Sequence, residues 1–239
     1  MKNRQAKDWW SATFGDPISW TVLGLIGDIK WITPIGITWL SFLCKIIPTG
    51  LIIHHERHYI IIGVLLLQVG QVLDSMDGNL ARYRNITTLR GGFLDRILDG
   101  LGFVFVMSSF SWYTYQNYNE SYYLVLGPMA AAFYLVVCYS YWTTAYEEQK
   151  ILGELKKVKP GGNVVNLKHI STWKYILIAQ KKILSFRQAD FYFWIGFGII
   201  LEKSKYIIWI LFIVLFVRLI ERIQSRYFYL KKLDKGDYE

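Results

Sequence analysis

Four aspartates lie in or beside long apolar runs and are the residues whose chemistry most requires an explanation. They occur in the segment VLDSMDGNLARYRNITTLRGGFLDRILDG, residues 72–100, as Asp74, Asp77, Asp95 and Asp99. A carboxylate inside a membrane helix costs at least ~2.5–3.5 kcal/mol on insertion scales, and packing like charges together raises that cost. We therefore expect these residues to be functional and to need cations beside them.

The spacing of the four aspartates predicts that they meet. Asp74 and Asp77 are three residues apart, and Asp95 and Asp99 are four apart, so each pair occupies one helix face. Antiparallel packing of the two helices would bring all four carboxylates together. Carboxylate oxygens with no accompanying His or Cys select hard divalent ions such as Mg²⁺ or Mn²⁺. Two such ions would neutralise the cluster and could clamp a pyrophosphate, stabilising charge on both the attacking oxygen and the leaving oxygen of a displacement at phosphorus.

Small and basic residues next to the aspartates point to the same kind of ligand. Gly78 and Ala81 fall on the helix face beside the carboxylates and clear space, while Gly91 lets the next helix approach. Arg82 lies one turn after Gly78, and its planar guanidinium can fork onto a phosphate. Ordinary packing of small residues between helices is the alternative explanation for the glycines and the alanine.

The composition favours a membrane protein. Of 239 residues, 53% are hydrophobic and 17% aromatic, and the formal net charge is +9. Lys and Arg in so apolar a chain serve topology and contact with anionic headgroups, so nucleic acid is not an expected partner. Cys44 and Cys138 lie in apolar runs, which excludes a disulfide framework or a thiolate metal site.

Six runs are long enough, or nearly long enough, to cross a bilayer as helices of about 20 residues. They are roughly 32–53, 59–81, 91–115, 121–146, 189–201 with flanking residues, and 205–227. We predict an all-α fold, an integral membrane bundle of six transmembrane helices. It would occupy residues 31–228 as one catalytic domain, with a cytoplasmic tail at 229–239.

The first thirty residues predict a helix that lies in the membrane interface. Asp16 and Pro17 fit the N-cap and the first helical position, and apolar residues follow at helical spacing. We interpret residues 1–30 as a cytoplasmic N-terminus with an interfacial amphipathic helix. Thr33 and Pro34 resemble a second such pair, which would open the first span.

The distribution of basic residues predicts the orientation. Of 27 Lys and Arg residues, only Arg57, Lys203 and Lys205 fall in the connections on one side of a six-span bundle. The positive-inside rule then puts both termini in the cytoplasm, and the aspartates lie near that side of the cytoplasmic membrane.

The connection at 147–188 belongs to the cytoplasmic side in this topology. Its second half has apolar residues on one helical face and lysines elsewhere, which predicts a basic interfacial helix. An alternative is that some of its cations meet a substrate phosphate. The candidates are Lys168, Lys181, Lys182 and Arg187.

Residues 74–99 follow the pattern D-x2-D-G-x2-A-R-x8-G-x3-D-x3-D. All eight fixed positions match the signature of the CDP-alcohol phosphotransferases, and the chain resembles that family. The segment TPIGITWLSF is similar to the family's opening of the first span, with Ile35, Gly36 and Ile37 replacing part of the usual pattern.

The resemblance implies an enzyme that transfers a substituted phosphate from a CDP-linked donor to an alcohol and releases CMP. In such enzymes the first three aspartates hold two divalent metal ions. The last acts as base on the acceptor hydroxyl and is a further candidate metal ligand. Members commonly form homodimers. The positions implied here are Asp74, Asp77 and Asp95 for metals, Asp99 as base, and Gly78, Ala81, Arg82 and Gly91 for the nucleotide and its pyrophosphate.

The substrates are open at this point. The six-span size favours CDP-diacylglycerol or another CDP-lipid as donor and a small polar alcohol as acceptor, in phospholipid biosynthesis. The alternative is a CDP-linked small alcohol with a lipid or other acceptor. A cation transporter that uses the acidic cluster as its ion site is a third possibility, but Arg82 beside the cluster would repel the transported ion.

Overall fold

The computed structural model describes residues 8–54, 56–153, 172–181, 183 and 187–236. These form helices and connections, and the part of the chain described contains no β-strand. A π-helical turn, Ser11–Gly15, leads into α1. The helices are α1 (Asp16–Ile26), α2 (Pro34–Ile53), α3 (Arg57–Tyr83), α4 (Leu89–Tyr118), α5 (Tyr123–Leu152), α6 (Thr172–Gln180), α7 (Gln188–Ile200) and α8 (Ser204–Asp234).

Three of these helices, α2, α3 and α5, are long and apolar enough to cross a membrane. Helices α4, α7 and α8 coincide with the other three predicted spans. Of these, α7 has 13 residues, fewer than the approximately 20 that a straight span needs. An all-helical membrane protein is thus supported, while the count of six spans and the interfacial placement of the N-terminal helix stay predictions.

Helices α2 and α3 pack closely because small residues meet at their interface. A Cβ added to Gly70 would lie 3.2 Å from the Cβ of Cys44, so the two backbones are near each other. The Ser41 hydroxyl donates to the Gly70 carbonyl oxygen at 3.0 Å. Helix α2 also packs against α4. It therefore lies beside both helices that contain the aspartates.

A larger apolar core joins α4, α5, α7 and α8. Its fully buried residues include Phe103, Phe110, Tyr192 and Ile208. Gly127 of α5 meets α4 closely, and its backbone N–H donates to the Ser111 hydroxyl at 2.9 Å. The core also includes residues of α2 and α3. It packs α4 against α5 and α8 and so supports the helix that contains Asp95 and Asp99.

The N-terminal segment and α6 form a small layer beside α3. Ala12, Tyr175 and Ala179 pack in one buried cluster, and the Trp9 Nε1–H donates to Gln180 Oε1 at 2.8 Å. The predicted N-cap at Asp16 is wrong, because the helical segment begins upstream and Gly15 precedes α1. The carboxylate of Asp16 instead makes tertiary hydrogen bonds to Asn79 and Tyr175, which outweigh a local cap. Thr33 caps α2 as predicted.

Candidate active site

Three of the aspartates meet between α3 and α4. Asp74, Asp95 and Asp99 each offer one carboxylate oxygen, and these three oxygens lie within 4.8 Å of one another. The helical spacing explains part of this, because Asp95 and Asp99 share a face of α4. The predicted direct packing of α3 on α4 is wrong for the described residues, since α2 packs against both helices and brings Asp74 of α3 to the same place. Such a group of oxygens matches the ligands that Mg²⁺ and Mn²⁺ prefer.

Asp77 lies beside this group and is held from two directions. The Thr38 hydroxyl of α2 donates to Asp77 Oδ2 at 2.5 Å, and the Gly78 backbone N–H donates to Asp77 Oδ1. Asp77 is buried, and it is near enough to Asp74 and Asp95 for their charges to interact. Thr38 thus orients the fourth carboxylate from the neighbouring helix.

Lys45 of α2 lies inside the acidic cluster, a position that was not predicted from the sequence. Its Nζ donates to Asp74 Oδ1 at 2.7 Å and to Asp99 Oδ1 at 2.6 Å, and its side chain is only 2% exposed. The sequence does contain a signal for this role. Lys45 is the single charged residue between Pro34 and Ile53, and it follows Thr38 by seven residues, which is two helical turns on the same face.

A cavity of about 600 Å³ opens next to the carboxylates. Asp77 and Asp95 form part of its wall. The four residues that resemble the family's nucleotide-binding positions also line the cavity, and these are Gly78, Ala81, Arg82 and Gly91. The structure therefore brings the predicted nucleotide residues to one concave surface beside the acidic cluster.

Two helix N-termini face this cavity. Thr33 caps α2 and Thr88 caps α4, and each hydroxyl accepts the backbone N–H of the residue three positions later at 3.1 Å. Both threonines line the cavity. Because the N-terminus of a helix has partial positive charge and free N–H groups, the two ends favour an anion between them.

Arg82 lies back along its own helix over Gly78. A Cβ on Gly78 would be 3.2 Å from Arg82 Nη1 and 3.3 Å from Nη2, so the glycine makes room for the guanidinium. Arg82 Nη2 also donates to Asn79 Oδ1 at 2.8 Å. The guanidinium is exposed at the cavity, where its remaining donors can meet a ligand.

A second cavity, of about 610 Å³, lies between α4, α5, α7 and α8 and has Asp99 at its edge. Its walls are mostly apolar, with Ile97, Leu101, Leu135 and Trp142 among them. Its polar residues include Arg96, Gln188 and Arg222. Asp99 thus faces an apolar space, whereas Asp77 and Asp95 line the polar cavity.

Two of the basic residues predicted for an acceptor phosphate, Lys181 and Arg187, are described by the structure, and it does not place them in the cavities beside the aspartates. Both residues are exposed. Arg187 precedes α7, and its positive charge repels that of Arg218 in α8. Lys168 and Lys182 lie outside the residues that the structure describes.

The comparison with protein families matches residues 31–216 to the CDP-alcohol phosphatidyltransferase model, which is most of the chain. The protein belongs to the CDP-alcohol phosphatidyltransferase family. Members of this family are transferases that move a substituted phosphate from a CDP-alcohol to an acceptor in lipid synthesis. The comparison with curated proteins found no match.

Proposed function

We propose that the protein transfers a substituted phosphate from a CDP-linked donor to the hydroxyl of an alcohol and releases CMP, using divalent metal ions. The observation that supports this most strongly is the acidic cluster of Asp74, Asp95 and Asp99 directly beside a cavity suited to phosphates. Family membership supports the same reaction class.

The donor would bind with its pyrophosphate in the polar cavity. The N-termini of α2 and α4 and the exposed guanidinium of Arg82 all present hydrogen-bond donors to this space. Gly78, Ala81 and Gly91 leave room for the cytidine and its phosphates to approach the helix backbones. CMP would leave from this side of the site.

We propose that Asp74, Asp77, Asp95 and Asp99 hold two ions, Mg²⁺ or Mn²⁺. When bound, the ions would stabilise charge on the attacking and leaving oxygens. The charges of the cluster favour two ions over one. Four carboxylates and the Lys45 ammonium sum to a formal charge of −3, so one divalent ion leaves a net negative site that repels a pyrophosphate. Two divalent ions leave a formal charge of +1 on the site, which attracts the pyrophosphate.

Asp99 is the proposed base. Its Oδ1 accepts a hydrogen bond from Lys45, so Oδ2 is the atom that would take the proton of the acceptor hydroxyl. The hydroxyl oxygen would then form a bond to phosphorus while the bond from phosphorus to CMP breaks. Lys45 holds Asp99 against Asp74 and offsets part of their repulsion.

The favoured substrates are CDP-diacylglycerol or another CDP-lipid as donor and a small polar alcohol as acceptor. The mostly apolar cavity beside Asp99 suits a lipid chain and so supports a lipid on one side of the reaction. A CDP-linked small alcohol with a lipid acceptor would use the same cavity and is the alternative. We further propose a homodimer in the cytoplasmic membrane, with both termini and the site facing the cytoplasm.

The reaction is tested by measuring CMP release from purified protein in detergent with Mg²⁺ or Mn²⁺. CDP-diacylglycerol is offered with a panel of polar alcohols, and CDP-choline, CDP-ethanolamine and CDP-inositol are offered separately with lipid acceptors. The productive pair identifies the donor side. If no pair gives CMP while the protein conducts cations across liposomes, the transport hypothesis replaces this one, although Lys45 inside the cluster opposes it.

The role of Lys181, Lys182 and Arg187 in binding an acceptor phosphate remains a separate proposal. Replacing each by Ala should raise the KM of a phosphorylated acceptor and leave the KM of the donor unchanged. An unchanged acceptor KM in all three variants would refute that role.

A further inference from the structure

A chain of hydrogen bonds leads from α6 through α1 to the cavity. The Tyr175 hydroxyl donates to Asp16 Oδ2 at 3.0 Å. Asp16 Oδ1 accepts from Asn79 Nδ2 at 3.1 Å, and Asn79 Oδ1 accepts from Arg82 Nη2 at 2.8 Å. The four residues come from three different helices. They connect the layer formed by the N-terminal segment and α6 to the guanidinium that lines the polar cavity.

The orientation of the Asn79 amide is determined by its partners. Its NH₂ group donates to the Asp16 carboxylate and to the Ser19 hydroxyl at 3.0 Å, both of which accept. Its oxygen must then face Arg82, which can only donate. Asp16 and Ser19 are buried, with exposed fractions of 3% and 0%. The amide therefore rests on a fixed base and presents a fixed acceptor to Arg82.

We propose that Asn79, anchored by Asp16 and Tyr175, is a positioning residue that fixes Arg82 for the donor pyrophosphate. The inference rests on the proposed function only in assigning that ligand to Arg82. An exposed arginine loses considerable rotamer entropy when it binds a ligand. A guanidinium already held by Asn79 over Gly78 has lost part of that freedom before the donor arrives, and preorganisation of this kind increases affinity.

The test replaces Asn79 with Ala and measures steady-state CMP release at varied donor concentration. We expect the donor KM to rise about three- to tenfold with kcat nearly unchanged, since the net contribution of one ordinary intramolecular hydrogen bond corresponds to about that factor in an equilibrium constant. Tyr175→Phe, which loosens only the anchor of Asp16, should give a smaller change in the same direction. Unchanged donor KM in both variants overturns the proposal.

A matched control separates positioning from general loss of structure. Gln180 also joins α6 to the N-terminal segment, through hydrogen bonds to Trp9 and Thr13, but its bonds do not lead to Arg82. Gln180→Ala should therefore leave the donor KM unchanged. If the donor KM rises as much in Gln180→Ala as in Tyr175→Phe, loosening the layer of α6 and the N-terminal segment is sufficient to weaken donor binding. The proposal that Asp16 and Tyr175 act through Asn79 would then be wrong.

A double-mutant cycle with Arg82→Ala distinguishes failure of this inference from failure of the proposed function. If Asn79 acts through Arg82, Asn79→Ala should have no further effect on donor KM in the Arg82→Ala protein. An equal effect in both backgrounds overturns the positioning role while leaving Arg82 as a pyrophosphate ligand. If Arg82→Ala alone does not change the donor KM, both assignments are wrong.

Discussion

Lys45 Nζ lies 2.6 Å from Asp99 Oδ1, so the proposed base is in direct contact with a buried cation from a neighbouring helix. The same ammonium contacts Asp74 at 2.7 Å and thereby joins the carboxylates of α3 and α4. Two carboxylates so close together would repel each other without it. Lys45 is therefore a structural part of the acidic cluster as well as a component of its charge.

Lys45→Met should destabilise the protein most when divalent ions are removed. Loss of the ammonium leaves Asp74 and Asp99 without their shared partner, and the side chains of these aspartates are 30% and 21% exposed. Because solvent screens them in part, we expect a loss of about 1–3 kcal/mol rather than the larger cost of a fully buried pair. This corresponds to a Tm about 2–12 °C lower in EDTA. Added Mg²⁺ should recover most of the difference.

The control for Lys45 is Arg57→Met, which breaks the exposed ion pair between Arg57 and Glu202. A surface pair contributes little, so its Tm should change by no more than about 2 °C. Equal Tm values for the two variants in EDTA would show that Lys45 does not stabilise the cluster.

Asp99→Asn should lower kcat about 10²- to 10⁴-fold, because an amide cannot take the proton of the acceptor hydroxyl. The amide oxygen keeps the hydrogen bond from Lys45, so the structure around it is preserved. Binding of CDP in the presence of Mg²⁺, measured by calorimetry, should stay within about threefold of the unaltered protein. Asp28→Asn changes an exposed aspartate that accepts from Tyr83 and serves as the control. If Asp99→Asn lowers CDP binding as strongly as it lowers kcat, Asp99 is primarily a metal ligand and not the base.

Gly78→Ala should weaken donor binding without lowering stability. The new Cβ would lie 3.2 Å from Arg82 Nη1, closer than ordinary contact, so the guanidinium must move away from its position at the cavity. We expect the donor KM to rise about three- to tenfold, while the better helix propensity of alanine offsets the crowding and keeps the Tm unchanged or higher. Gly50→Ala has open space around the added Cβ and should change stability in the same direction with an unaltered KM. A normal KM in Gly78→Ala would refute the packing of Arg82 on Gly78.

Gly127→Ala should destabilise the contact between α4 and α5. A Cβ at this position would lie 2.1 Å from Ser111 Oγ and 2.4 Å from the Met107 carbonyl oxygen, so the helices must separate. Overpacking of this kind costs about 1–3 kcal/mol, or a Tm lower by about 2–12 °C. Gly24→Ala, with no neighbouring atom within 4 Å, is the matched control in thermal unfolding. Equal Tm values for the two variants would contradict the close packing.

The arrangement of the aspartates was predictable because helical periodicity relates sequence spacing directly to helix faces. Asp95 and Asp99, four residues apart, share a face of α4, and Asp74 of α3 meets them there. Spacing did not predict that α2, which packs against both helices, brings them together. The cap at Thr33 was predictable for a similar reason, since a cap depends on residues within one turn.

The roles of Lys45 and Asp16 depend on residues far away in the sequence. Lys45 pairs with carboxylates 29 and 54 positions later, and Asp16 bonds to Tyr175, 159 positions later. Spacing within one helix does not specify which helix lies opposite. At Asp16 the local preference for an N-cap was a valid tendency, but buried hydrogen bonds to α3 and α6 replaced it.

The central claim is tested most directly by metal-dependent CMP release from the productive CDP-linked donor, comparing the unaltered protein with Asp74→Ala. Asp74 belongs to the oxygen cluster and accepts from Lys45, so its loss removes a proposed metal ligand and one of the hydrogen bonds between α2 and α3. We expect CMP release that requires Mg²⁺ or Mn²⁺, stops in EDTA and is absent in Asp74→Ala at matched protein stability. CMP release that persists in EDTA, or that Asp74→Ala retains at the unaltered rate, would contradict the central claim.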